Sequence, residues 1–144
     1  MVILMFDSRK HSFADYIDCR NLEHEAYELL NQKSYEQALE VIQEALQINP
    51  EDDRCCFMEG LIYATMSKEV DFSYIEGARI SFDKALALNP DVEAYKVARS
   101  SCLFEMAKYY YSSSDPSTNS LALSFINDYL RVIEDNQVWN TVEV

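Results

Sequence analysis

Turn-forming residues are scarce: two glycines and three prolines in 144 residues. A β-rich domain needs many tight turns, so this composition argues against one. With Gly60 and Gly77 the only glycines, a phosphate-cradling loop has no material. Histidine is also scarce. His24 stands between Glu23 and Glu25, helical neighbours that face different ways, and reads as an exposed helix position rather than a general base. No Ser/His/Asp or Cys/His set can be assembled by spacing, so an enzyme is not expected.

Basic residues are outnumbered, 12 against 25 acidic, for a formal charge of −13. That charge repels phosphate backbones and anionic lipid, so neither nucleic acid nor a membrane surface is expected as partner. Long apolar runs are missing too. Val2–Phe6 is five residues with no basic residue before it, too short for a signal core or a membrane span. The four cysteines, Cys19, Cys55, Cys56 and Cys102, show neither C-x-x-C nor, with histidine, H-x-x-x-H spacing. They are expected to be reduced, mostly buried small hydrophobes of a cytoplasmic protein, with no metal and no cofactor.

Apolar residues make up 49% of the chain, enough for a core and against disorder. The organising feature is a run that occurs twice, Tyr35–Pro50 and Ile75–Pro90. Glu36/Glu76, Ala38/Ala78, Ala45/Ala85, Leu46/Leu86, Asn49/Asn89 and Pro50/Pro90 match outright, and Ile42/Phe82 and Ile48/Leu88 stay apolar. Ala38, Ile42, Ala45 and Leu46 form one stripe of a helix. Proline lacks an amide hydrogen and restricts the residue before it, so each helix should stop at or just before its asparagine. A period of about 40 residues points to a helical repeat array.

The remaining segments read as helices in the same rhythm. Ser12, with Asp15 three residues on, suggests a capped start, followed by a helix to about Gln32 with a break allowed near Cys19-Arg20. A helix with Cys56, Gly60 and Tyr63 follows Pro50, and the segment Ser67–Ser73 should hold an extra turn. Asp91 is expected to cap a helix from Val92 to about Tyr111. Asp115-Pro116 suggests the start of a last helix through Ala122, Ile126, Leu130 and Ile133. Tyr109-Tyr110-Tyr111 should place one or two rings against neighbouring helices and leave another exposed. Val2–Phe6 and the tail 136–144, with Trp139, read as end caps.

The Ala, large apolar, Ala and Pro landmarks resemble the second helix of a tetratricopeptide repeat, and Gly60/Tyr63 resemble the small residue and tyrosine of its first helix. The resemblance implies an all-α superhelix, one domain over 1–144 of about three helix pairs (19–52, 53–92 and 93–135), with extra segments at both ends. The third pair is divergent: Tyr129 replaces an alanine and no proline closes it. Concave faces in the family bind peptides or helices, which implies a non-catalytic adaptor or chaperone-like module. The alternative is a self-assembling subunit, a homo-oligomer whose groove is filled by its own or a neighbour's terminal segment.

By the same resemblance, groove-facing positions fall on Glu23, Tyr27 and Leu30 in the first repeat. They fall on Arg54, Phe57, Leu61 and Ala64 in the second, and on Val97, Ser101 and Phe104 in the third. The family's carboxylate clamp uses Lys, Asn and Arg; here Arg54 is the only cation among these positions. The implied partner is therefore a protein segment with apolar anchors and basic flanks. The competing reading makes Phe57 and Phe104 core residues, or covers them with the chain's own ends.

Overall fold

A computed structural model describes residues 11–112 and 117–135. It is all-α, 86% helix, with no strand among the described residues. Among the described residues six α-helices follow one another: α1 (Phe13–Asn31), α2 (Tyr35–Ile48), α3 (Asp53–Glu69), α4 (Ile75–Leu88), α5 (Glu93–Tyr111) and α6 (Ser117–Asp135). The apolar segment Val2–Phe6, the Asp115-Pro116 start signal and the Trp139 tail lie outside the described residues.

The helix boundaries follow from local chemistry. Ser12 caps α1 with a reciprocal box: its Oγ accepts from the Asp15 amide at 3.1 Å, and the Asp15 carboxylate accepts from the Ser12 amide at 3.2 Å. α1 then runs unbroken through Cys19-Arg20, because Cys19 is buried and holds the helix to its neighbours. The turn after α1 places Lys33 at φ 63°, and α2 starts two residues later. α2 and α4 end at Ile48 and Leu88, two residues before their prolines, as the pattern requires. Asp52 caps α3, accepting from the Cys55 amide at 3.0 Å. The connection after α3 holds a 3-10 turn, Phe72–Tyr74, which accounts for the long repeat spacing. Asp91 does not cap α5: the cap position is Val92, with no side-chain bond, and the helix begins at Glu93.

Two compact units divide the chain, 1–91 and 92–144. In the first, α1 packs on α2, α2 on α3, α3 on α4, and α1 also meets α3. Its core gathers Cys19, Ala26, Ala38, Ile42, Ala45, Cys55, Met58, Ile62 and Met66. Ala38, Ala45, Ala78 and Ala85 are fully enclosed, the positions where small side chains let helices approach. Gly60 on α3 does the same against α4: a Cβ there would stand 2.5 Å from the buried Phe82 ring. In the second unit α5 packs on α6. Cys102, Leu103, Met106, Ala107 and Ala122 are buried, and Tyr110 stacks on Phe125 at 5.8 Å. Tyr109 and Tyr111 remain more than half exposed, so the tyrosine triplet divides as expected.

Candidate functional site

The face shared by α1 and α3 carries the most developed site of the first unit. Three of the expected groove positions, Glu23 and Tyr27 on α1 and Arg54 on α3, meet there. Arg20, His24 and Met58 complete a cavity of about 210 Å3. Glu23 and His24 each stand three or four residues from both Arg20 and Tyr27, so two adjoining strips of α1 supply them. Arg54 and Met58 share one strip of α3.

Charge is arranged around Glu23. Its carboxylate accepts from Arg54 Nε at 3.3 Å and also lies 3.3 Å from Arg54 Nη2. Arg20 Nε stands 3.3 Å away as an ion pair without the alignment of a hydrogen bond. Arg20 also donates to Asp52 and lies over the Tyr16 ring, 5.3 Å from its centroid. Arg54 is well exposed and Tyr27 is half exposed, so both can touch a ligand. Met58 is buried and supplies the apolar part of the wall. His24 is exposed, with Glu28 at 3.5 Å.

The other expected positions divide by unit. Leu30, Phe57, Leu61 and Ala64 are half-buried; Leu30 and Leu61 pack against the core, and the Phe57 ring lies 5.7 Å from Phe82. In the second unit Val97, Ser101 and Phe104 are exposed. The Phe104 ring rests against Tyr129 at 5.2 Å, with Lys108 Nζ 4.9 Å over it.

Two features escape sequence reasoning. Arg20, His24 and Met58 join the cavity walls; their helical spacing from Glu23, Tyr27 and Arg54 was the available signal. The second is a buried cluster of Cys19, Asp52 and Cys55, whose ligand-type atoms all lie within 4.8 Å of one another. No spacing rule links residue 19 to residue 55; only the packing of α1 on α3 does. Burial is the main cause that pushes the Cys19, Cys55 and Cys56 thiols above their ordinary range, with nearby carboxylates adding to it. A separate cavity of about 430 Å3 lies between Lys33–Gln37 and the end of α3, and gathers none of the expected groove residues.

A polar network crosses the unit elsewhere. Ser81 Oγ donates to Glu59 at 3.0 Å, while Gln43 Nε2 reaches Glu59 and the Tyr63 hydroxyl, each at 3.4 Å. Burial first, then the Glu59 carboxylate, pushes the Tyr63 phenol up. These bonds tie α2, α3 and α4 together.

Comparison with protein-family models, with curated proteins and with solved structures found no match.

Proposed function

We propose that this chain is a non-catalytic protein-interaction module built from tetratricopeptide-like helix pairs, acting as an adaptor or chaperone-like binder. The observation that carries the reading is the α1/α3 cavity, where Glu23, Tyr27 and Arg54, positions expected to face a groove, come together. The pairing of α1 with α2 and of α3 with α4, with α1 also on α3, supports the repeat reading. Tyrosine and arginine are side chains well suited to recognition, since each combines apolar area with donors. The partner proposed is a protein segment with large apolar anchors flanked by Lys or Arg, drawn to a chain of charge −13. The free thiols suit a reducing compartment, for which we propose the cytoplasm.

A peptide-display selection against the full chain tests this. Enrichment of apolar segments with basic flanks is expected, and the Tyr27→Ala, Arg54→Ala double variant should lose that binding by at least about tenfold. Its melting temperature should stay close to the parent's, because both side chains are exposed. Selection of acidic peptides, or binding untouched by the double variant, overturns the reading.

The alternative, self-assembly, is favoured by one observation. Phe13, Tyr16 and Ile17 share an exposed face of α1, and the two rings stack at 6.3 Å. Mass measured in solution from low to high micromolar concentration separates the two readings: a constant monomer mass excludes self-assembly.

A further inference from the structure

We propose that Cys19, Asp52 and Cys55 form a binding site for a thiophilic divalent cation, zinc being the ordinary candidate, which clips α1 to the start of α3. Both cysteines are fully buried. Their sulfurs and an Asp52 oxygen all lie within 4.8 Å of one another, close enough to converge on one ion after small side-chain rotations. Two thiolates and a carboxylate are a donor set that suits zinc, leaving a fourth position for water.

The surroundings match the charge such a site needs. Arg20 donates to Asp52 and, at 3.6 Å, to the Cys55 sulfur. Both hydrogen bonds to the Asp52 carboxylate, from Arg20 and from the Cys55 amide, end on Oδ1. Among the described residues Oδ2 accepts from no group, so it is available as a ligand. With both thiols protonated, the Asp52 carboxylate and the Arg20 guanidinium cancel. When the cation binds, each thiol gives up its proton to solvent. Two thiolates, one carboxylate, one guanidinium and one dication again sum to zero. The buried cluster is neutral in both forms, which avoids burying net charge. Arg20 then holds the outer position, bonded to two of the three ligands, where it orients them and balances the negative charge they bring.

This site is independent of the peptide-binding reading, and its test needs no partner. The full chain, reduced and stripped with chelator, is titrated with Cd2+ and then competed with Zn2+. One equivalent should produce the ultraviolet thiolate-to-cadmium band, and zinc should abolish it. Cys19→Ser and Cys55→Ser should each weaken binding by at least about tenfold, while Cys56→Ser leaves it unchanged. Asp52→Asn keeps a good helix cap and should weaken binding by at least about tenfold, the lower end of what loss of even an outer partner of a ligand costs. If a cysteine variant fails to fold, X-ray absorption on the zinc-loaded parent chain decides: two sulfur neighbours support the site, and any other count overturns it. No thiolate band in the parent chain, or a cadmium affinity left unchanged by loss of either Cys19 or Cys55, also overturns it.

Discussion

Gly60 and Gly77 show how differently one residue type can be constrained. A Cβ on Gly60 would meet two carbons of the buried Phe82 ring at 2.5 and 2.6 Å, whereas on Gly77 it would meet the Tyr63 ring at 3.1 Å or more. Phe82 is enclosed and cannot retreat; Tyr63 is half-buried and can. Gly60→Ala should therefore cost up to about 2 kcal/mol, the overpacking penalty less the helix-propensity gain. Gly77→Ala should fall within about 1 kcal/mol of neutral. Urea unfolding of the two variants checks the order, and equal stabilities would refute it. The buried thiols make a second prediction. Their folded pKa values are raised above the unfolded value of about 8.5, so the folded chain keeps protons that the unfolded chain releases. The stability this adds is fully present below about pH 8.5 and is lost as pH rises towards the folded values. In the chain stripped of metal, unfolding free energy should fall between about pH 8 and pH 10, less steeply in Cys55→Ala; a rise with pH would contradict the assignment.

At the scale of the element, Asp52 joins two jobs. It caps α3 and it holds Arg20, whose side chain is only 16% exposed, from α1. Asp52→Ala removes the cap, worth about 0.5–2 kcal/mol. It also leaves the largely buried Arg20 guanidinium with only its Glu23 ion pair, so the cost falls below the about 3–5 kcal/mol of a buried pair broken outright. A total loss of about 2–4 kcal/mol is expected by denaturant unfolding. Asp52→Asn should lie between, since it restores the cap and not the charge. The repeated alanines act as spacers: Ala45 and Ala85 are fully enclosed, and leucine at either should cost roughly 1–3 kcal/mol by overpacking. Parent-like melting of both variants would mean that these positions do not set the helix spacing.

For the molecule as a whole, charge is the strongest statement. With 12 basic residues against 25 acidic, the chain has few cations to displace counterions from DNA. No binding to duplex DNA is expected at physiological salt, and salt-sensitive binding in a mobility-shift titration would refute this. The proposed partner carries the opposite charge, so its association should slow as salt rises. A rate unaffected between about 50 and 500 mM salt would show that charge does not steer the encounter.

The sequence by itself determined the helices. Two Asn-Pro stops, a Ser-x-x-Asp box and stripes of alanine and leucine act within one or two turns of chain, and the helix ends at Ile48 and Leu88 follow from proline's missing amide. Where local signals compete, the sequence misleads: Asp91 is a capping residue type, yet Val92 holds the cap position and α5 starts at Glu93. The alanine spacers were legible because their residue type repeats. The α1/α3 cavity was legible only in part, since Tyr27 and Arg54 stood out while Arg20, His24 and Met58 did not. The Cys19–Asp52–Cys55 cluster was not legible at all. Its members belong to two helices separated by a third, and no periodicity within either helix records which sulfur will face which. That pairing was decided by the packing of α1 on α3, where buried volume and the Arg20–Asp52 ion pair, acting across more than thirty residues of chain, settle what each side chain meets.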